Sequence, residues 1–129
     1  MNEPSAKEDK LAKAVIDACI EVHRALGPGY LESVYEEALA KELASRQIPF
    51  ERQKVIHVNY KGEPVGQTRL DFLIDELLVI ELKAVESLAP IHTAQVISYL
   101  KAGTFQLGLL INFNTTLLKH GIKRIALTR

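Results

Sequence analysis

The sequence is poor in several features that would identify particular classes of protein. It has one cysteine and no tryptophan, so no disulfide can form within the chain and we expect a reducing compartment. Its 16 basic and 16 acidic side chains cancel, whereas domains that bind nucleic acid are usually basic. It has no apolar run near the roughly 20 residues of a membrane helix, and no apolar signal-peptide core at its charged N-terminus. These absences predict an intracellular, cytoplasmic protein without a membrane partner.

The residues that are present suit one packed domain. The chain has 129 residues, 47% of them hydrophobic, which is enough to build a core. We expect a single domain over residues 1–129, with residues 1–6 as a flexible N-terminus, since the sequence contains no repeat, low-complexity tract or linker.

The neutral total hides a division of charge along the chain. Residues 1–86 carry a net charge of −5, and residues 87–129 carry +5 with no acid at all. Those bases either form a surface for an anionic partner, or are solvated and paired within the fold, which composition favours. The five bases are Lys101, Lys119, Lys123, Arg124 and Arg129.

Hydrophobic periodicity predicts two helices at the start of the chain. Apolar residues recur at three- and four-residue spacing over residues 7–26 and again over residues 31–46. Gly27-Pro28-Gly29 ends the first helix, and Pro49 follows the end of the second.

The pattern then changes to the alternation that is typical of strands. The two residues Asp75-Glu76 separate two of these strands and predict a hairpin. A helix between two strands predicts that they are parallel neighbours, so the chain reads as one α/β domain. The predicted elements are strands over residues 55–60, 67–74 and 77–83, a turn at 61–64, a helix over 90–101, a strand over 105–112 and an edge strand over 122–127.

Three charged residues on these strands are candidates for chemistry. Glu81 and Lys83 alternate with apolar residues and so share one face of a strand, and Asp71 lies within reach of Glu81 across the predicted hairpin. Two neighbouring carboxylates repel each other unless a cation lies between them, and oxygen ligands suit Mg²⁺. The alternative is an exposed edge strand with a solvated Glu–Lys pair, although the apolar residues 77–80 favour an interior strand.

Helical residues contribute the remaining candidates. Gln95 and Tyr99 are four residues apart and share a face, either as an ordinary pair over the sheet or as a polar rim beside the carboxylates. Ala94, Ile97 and Leu100 are expected to face the core. Glu32 lies in a first helical turn, where the helix dipole already favours a carboxylate, yet it shares a face with Tyr35 and is able to point at the same site.

Two other residue types are given structural interpretations. The histidines at positions 23, 57, 92 and 120 have no metal-ligand spacing, so we expect surface or hydrogen-bonded side chains. Cys19 lies on the apolar stripe of the first helix and is expected to be a small buried hydrophobe.

These residues together resemble a known family. Gly29, Glu32 and Tyr35 form the signature of the GxxExxY proteins, which belong to the PD-(D/E)XK nuclease-like superfamily. Asp71 and Glu81-Leu82-Lys83 match the superfamily pattern D…(D/E)-x-K, with Leu70 where the superfamily name has proline. Gln95-x-x-x-Tyr99 is similar to the QxxxY motif of its exonuclease and helicase-associated branches. The resemblance implies a restriction-endonuclease-like αβββαβ core, with a central mixed sheet flanked by helices and an extra N-terminal helix.

The same resemblance implies a nuclease that depends on Mg²⁺ or Mn²⁺ and hydrolyses phosphodiester bonds, in DNA rather than RNA. It assigns the metal to Asp71, Glu81 and the Leu82 carbonyl, with Glu32 reaching it directly or through water. It assigns Lys83 to the attacking water and the developing charge, and the pair at 95 and 99 to orientation of the substrate or site. Candidate contacts with nucleic-acid phosphates are Lys101, Lys119, Lys123 and Arg124.

The sequence is therefore compatible with two functions. The first is an active metal-dependent nuclease, which the presence of Asp71, Glu81 and Lys83 favours. The second is an interaction module for nucleic acid or protein that keeps the fold without turnover. Because 129 residues leave little room for a recognition domain, a homodimer or a protein partner is also expected.

Overall fold

The computed structural model describes residues 3–127, so residues 1–2 of the expected flexible N-terminus and Arg129 of the basic stretch lie outside the described residues. The elements run in the order of the sequence prediction. They are α1 (Ala6–Leu26), α2 (Glu32–Ser45), β1 (Phe50–Tyr60), β2 (Glu63–Ile74), β3 (Leu78–Lys83), α3 (Pro90–Gly103), β4 (Leu107–Asn112), a 3₁₀ turn (Leu118–Gly121) and β5 (Ile122–Ala126).

The five strands form one mixed sheet in the order β1-β2-β3-β4-β5. Neighbouring strands are antiparallel except for β3 and β4, which are parallel and are joined by α3. The parallel pair is confirmed, and its strands are almost wholly buried, as expected for strands covered on both faces.

Helices cover the two faces of the sheet and create two cores. Helices α1 and α2 pack on one face, through residues such as Val15 and Leu39, against Ile80 and Leu109 of the central strands. Helix α3 packs on the other face, where Val96 and its neighbours meet the opposite side chains of the same strands. The α/β class with an extra N-terminal helix is confirmed. No helix within residues 3–127 is both long and apolar enough to cross a membrane.

The first helix begins at a reciprocal cap. The backbone N–H of Glu8 donates to the Ser5 hydroxyl at 3.1 Å, and the Ser5 N–H donates to the Glu8 carboxylate at 2.7 Å. This exchange satisfies two N–H groups that a helix start otherwise leaves unpaired. Cys19, further along α1, is fully buried in the core, as its apolar environment predicted.

The β1–β2 hairpin is longer than the alternation predicted. Strand β1 begins at Phe50, whereas the alternation predicted a start at residue 55. The prediction missed residues 51–54 because they are charged and polar side chains on an edge strand and give no apolar period. The turn is limited to Lys61-Gly62, with φ angles of 51° and 82°. Two positive φ values in a two-residue loop match the right-handed twist of the strands.

The sheet opens at Asp71. Strand β2 pairs with β3 only over residues 72–74. Leu70 packs in the core under α3, whereas Phe72, two residues on, packs in the core under α1 and α2. Gln53, opposite Asp71 on β1, has a φ of 51° and interrupts the regular pairing there. Strand β2 therefore turns about its own axis at the position where it leaves β3.

Candidate functional site

Asp71 and Glu81 meet where β2 leaves β3. The backbone N–H of Asp71 donates to Glu81 Oε2 at 2.9 Å, and the backbone N–H of Leu82 donates to Asp71 Oδ2 at 2.8 Å. The regular backbone pairing of β2 with β3 ends one residue pair closer to the turn. At Asp71 and Glu81, these two bonds between side chain and backbone replace it. Each carboxylate thus belongs to one strand and is held by the other, so the two acids lie together as the hairpin predicted.

Both carboxyl groups are hard to ionise in this position. Glu81 is only 5% exposed, and burial together with the Asp71 charge raises the pKa of Glu81 to about 8. Burial also raises the pKa of Asp71, while the Leu82 N–H and the Lys83 charge act in the opposite direction. Because like charges in a poorly solvated place repel, the pair is suited to a cation between its oxygens.

Glu32 is close enough to share this electrostatic environment. It is the first residue of α2 and is half-buried. Burial raises the pKa of Glu32, the Asp71 charge raises it further, and the Lys83 charge lowers it. The helix-dipole explanation and the site explanation both apply to Glu32, because it lies in the first turn of α2 and within electrostatic range of Asp71 and Lys83.

Tyr35 fixes the loop that leads into α2. Its ring is fully buried and stacks on Phe113 at 4.6 Å between ring centroids. Its hydroxyl donates to the Gly27 carbonyl at 2.6 Å and accepts the Tyr30 N–H at 3.2 Å. Gly29 inside this loop has a φ of 106°, which favours glycine. Tyr35 therefore holds the start of α2, and with it Glu32, a role that the sequence analysis missed although the signature contains this residue.

A second missed group ties α2 to β1 beside Asp71. Arg52 donates to Glu36 at 2.9 Å and to Glu37 at 2.6 Å, and Gln53 Nε2 donates to the other Glu36 oxygen at 3.0 Å. The Glu36 charge raises the pKa of Asp71, and a hydrogen bond from the Gln53 side chain lowers it. This network holds the distance between the helix that carries Glu32 and the strand pair. Glu32 and Glu36 are four residues apart, which was the available sequence indication.

Asn112 holds the chain that follows Lys83. It ends β4 directly beside Lys83 and is 2% exposed. Its Oδ1 accepts the Val85 N–H at 3.0 Å, its Nδ2 donates to the Val85 carbonyl at 2.9 Å, and the Phe113 N–H donates to the Lys83 carbonyl at 2.9 Å. A polar residue at the end of the apolar strand 107–112 was the sequence indication of this positioning role.

The α3 candidates are less closely connected to the carboxylates. Gln95 and Tyr99 are half-buried, and Tyr99 packs against the core under α3. Within residues 3–127, the side chain of Gln95 forms no hydrogen bond to Tyr99 or to a strand acid. The residues of α3 that are fully buried are Val96 and Leu100. The expectation that Ala94 faces the core was wrong, since Ala94 is exposed.

The basic residues near the C-terminus do not form one surface. Arg124 pairs with Asp9 on the α1 side of the sheet, whereas Lys123, the preceding residue on β5, shares the face of Ile125 in the core under α3. Lys119 lies in the 3₁₀ turn and lines a surface cavity of about 440 Å³ that contains none of the strand acids. Lys101 is exposed near the end of α3. The four proposed phosphate contacts are therefore divided between the two faces of the sheet.

The remaining candidates have structural roles. His23 is buried and its Nε2 lies 2.8 Å from the Thr115 carbonyl, and the Ala89 N–H donates to His92 Nδ1 at 3.0 Å at the start of α3. Burial raises the pKa of the Cys19 thiol well above its usual range, so it is a poor nucleophile.

The donor chemistry of the strand pair fits a hard divalent cation. Among residues 3–127, no group of three His, Cys, Asp or Glu side chains is arranged to hold a metal ion. Two neighbouring carboxylates whose burial raises the pKa of both form a smaller donor set, and Mg²⁺ is often bound through one or two protein carboxylates with several waters. Asp71 and Glu81 have the donor chemistry for such a set.

Comparison with known proteins assigns the family. A search of curated proteins found no match. The model of the PD-(D/E)XK nuclease superfamily matches residues 9–125, which includes every element from α1 to β5 apart from the first residues of α1 and the last of β5. The matched range contains Glu32, Asp71, Glu81 and Lys83, and the mixed five-stranded sheet is consistent with a restriction-endonuclease-like fold. The chain therefore belongs to the PD-(D/E)XK nuclease superfamily.

Proposed function

We propose that the protein is a metal-dependent nuclease that hydrolyses phosphodiester bonds in DNA, with Mg²⁺ or Mn²⁺ as its cofactor. One observation carries the proposal. Asp71 and Glu81 are brought together by reciprocal bonds to the backbone of the other strand, at the point where Lys83 follows on β3. An acid pair that is costly to ionise is retained here although an apolar pair would pack at lower cost, which supports a role in binding a cation.

In this proposal, Asp71, Glu81 and the Leu82 carbonyl hold the metal, and Glu32 reaches it directly or through water. A bound ion of this kind polarises a phosphoryl oxygen and lowers the pKa of a bound water. The residues of the chain bind the metal, orient the substrate and neutralise developing negative charge. Asp71 and Glu81 each use one carboxylate oxygen for these backbone bonds, so each has a second oxygen outside them.

Lys83 supplies positive charge beside the reacting phosphate. Its charge already lowers the pKa of Glu32, Asp71 and Glu81, so it lies within electrostatic range of all three acids. A fixed ammonium group in this position stabilises negative charge that develops on the phosphate and orients the attacking water. Asn112 keeps the backbone after Lys83 in place. Gln95 and Tyr99 are proposed to orient the end of the substrate.

The test is a cleavage assay on labelled single-stranded, double-stranded and branched DNA, with RNA of the same sequences, in Mg²⁺, Mn²⁺ or EDTA. We expect cleavage of DNA that EDTA abolishes and that Asp71→Asn, Glu81→Gln and Lys83→Ala each reduce. Glu76→Gln is the matched control, because Glu76 is an exposed acid at the other end of the β2–β3 hairpin. Metal-independent cleavage, or cleavage by the Asp71 and Glu81 variants at the native rate, would contradict the proposal.

A binding module without turnover is the second candidate. The observation that favours it is that each carboxylate of the acid pair already accepts a backbone N–H, so the pair is stabilised within the fold. It predicts nucleic-acid or protein binding with no cleavage under any metal.

Sedimentation of the whole chain, alone and with DNA, tests the expected homodimer. A strict monomer in both conditions would exclude it.

A further inference from the structure

The β1–β2 hairpin continues beyond the acid pair as a two-stranded arm, defined here as residues 55–69. None of these residues pairs with β3, which ends at Lys83. Eight residue steps separate Asp71 from Glu63 at the start of β2, which is about 27 Å of extended chain. Apart from Ile56, no side chain of the arm is buried. The arm therefore extends past the strand end that carries the carboxylates.

The arm carries cations that the rest of the fold does not use. Of the five arginines within residues 3–127, four form ion pairs with acids, at positions 24, 46, 52 and 124. Arg69 is the exception in that range, and it is exposed. It lies two residues before Asp71, or about 7 Å along the strand. Lys61 at the tip has no acidic partner among the described residues and lies over the Tyr60 ring at 5.3 Å.

The edges of the arm are irregular, which disfavours pairing with a second copy of the chain. Val65 is an unpaired extra residue on the β2 edge, between Pro64 and Gly66, and Gln53, which precedes the arm on the β1 edge, has a positive φ. Bulges and proline at a free edge prevent strand addition. The polar side chains along both strands, which include Asn59 and Gln67, remain exposed instead.

We propose that the arm lies in the major groove of double-stranded DNA and holds the duplex against the acid pair. This inference rests on the proposed function and names its substrate class. The major groove of B-form DNA is about 12 Å wide and admits a two-stranded β-ribbon, whereas the major groove of A-form RNA is too narrow. Arg69, the cation of the arm that is nearest to Asp71 in sequence, contacts the phosphate backbone beside the cleaved bond, and Lys61 contacts the duplex further along the groove.

Binding of the whole chain to a 20-base-pair DNA duplex, followed by fluorescence anisotropy in EDTA, tests the arm without cleavage. We expect Arg69→Ala and Lys61→Ala each to weaken duplex binding about tenfold, and each to lower the salt dependence of log K by about one. Single-stranded DNA and duplex RNA of the same sequence should bind more weakly and lose less than threefold. Arg24→Ala and Lys10→Ala are matched controls on α1, and thermal unfolding verifies that all variants fold.

The outcomes separate this inference from the proposed function. Duplex binding that changes by less than twofold in both arm variants overturns the inference, whether or not the native chain cleaves DNA. Equal losses for duplex DNA, duplex RNA and single strands also overturn it, because the arm would then act only through charge. Selective loss of duplex DNA binding supports it, and it does so even if no nucleic acid is cut and the nuclease proposal fails.

Discussion

The acids and the bases of this protein are organised in opposite ways. Glu32, Asp71 and Glu81 come from α2, β2 and β3, yet they lie within electrostatic range, and the Asp71 charge raises the pKa of both Glu32 and Glu81. The bases of the C-terminal third are consecutive or near in sequence, yet Lys123 and Arg124 lie on opposite faces of the sheet. Proximity in sequence and proximity in space are thus reversed between the two sets.

This difference identifies which charges the fold positions. Gathering three acids costs electrostatic free energy, so their arrangement calls for a compensating partner. Dispersed exposed bases cost little, and one of them is an ordinary surface ion pair. The zero net charge of the chain therefore conceals a site in which three of its acids are gathered, and it does not argue against nucleic acid as a substrate.

The largest effect is expected when one of the three gathered acids is removed. Asp71→Asn keeps the size of the side chain and removes one proposed ligand, so we expect DNA cleavage to fall on the order of a thousandfold, since metal ions contribute several kcal/mol of transition-state stabilisation. Lys123→Ala should change the same rate less than threefold. Initial rates on labelled duplex DNA measure both, and similar losses in the two variants would contradict the account.

The cost of gathering the acids should appear as a pH dependence of stability. The pKa of Glu81 is about 8 in the folded protein and 4.5 as its ordinary value, so between these pH values the unfolded chain loses a proton that the folded protein keeps. The contribution of Glu81 to the free energy of unfolding is therefore greatest below about pH 4.5. It decreases by a few kcal/mol, as an order of magnitude, as the pH rises to about 8.

Glu81→Gln should remove that fall, because glutamine does not titrate. Urea unfolding without metal at pH 5, 7 and 9 gives the free energy of unfolding for both proteins. We expect the variant to be the more stable one at pH 9, and Mn²⁺ to stabilise the native chain more at pH 9 than at pH 6. A native stability that rises from pH 5 to pH 9 in step with the variant would show that Glu81 is ordinarily ionised.

Tyr35→Phe weakens the support of the third acid. The variant loses the hydrogen bonds of the Tyr35 hydroxyl to Gly27 and Tyr30, which leaves the part-buried Gly27 carbonyl without this donor. We expect a loss of about 1–2 kcal/mol in the free energy of unfolding and a drop in cleavage that Glu32→Gln does not deepen. Denaturant unfolding measures the change in stability, and cleavage rates of the single and double variants measure the change in activity. If the losses of rate in Tyr35→Phe and Glu32→Gln are fully additive, Tyr35 does not act through Glu32.

The smallest effect is expected for the dispersed bases. Arg124→Ala removes an exposed ion pair with Asp9, so stability should fall by roughly 0 to 1 kcal/mol. Its effect on duplex binding should be below twofold, as for Lys119→Ala. Losses of tenfold in both variants would show that the two faces of the sheet act together on one ligand.

Much of this organisation follows from the sequence, and the limits have physical causes. Alternation and helical spacing locate every main element, and the hairpin predicted at Asp75-Glu76 places Asp71 near Glu81. The observed connection also includes residue 77 and pairs Phe72 with Ile80, so the register differs by one residue from that of the predicted two-residue turn. The beginning of β1 is invisible to periodicity, since residues 51–54 lie on an exposed edge. The extent of the arm is likewise hidden, because exposed strands need no apolar face.

The supports of the site were beyond prediction for a different reason. Arg52 with Glu36, and Asn112 with Val85, are side-chain contacts between elements distant in sequence, and composition does not specify such pairs. The division of the C-terminal bases depends on which face of β5 each one occupies, which the register with β4 determines. The sequence therefore predicts which residues are candidates, while the packing decides which candidates meet.

Mn²⁺ titration by calorimetry tests directly whether Asp71 and Glu81 form a cation site. We predict a binding isotherm for the native chain that Asp71→Asn and Glu81→Gln each weaken at least tenfold, and that Glu76→Gln leaves unchanged. The affinity should increase with pH as the carboxyl groups lose their protons. Equal Mn²⁺ affinity in all four proteins would contradict the account.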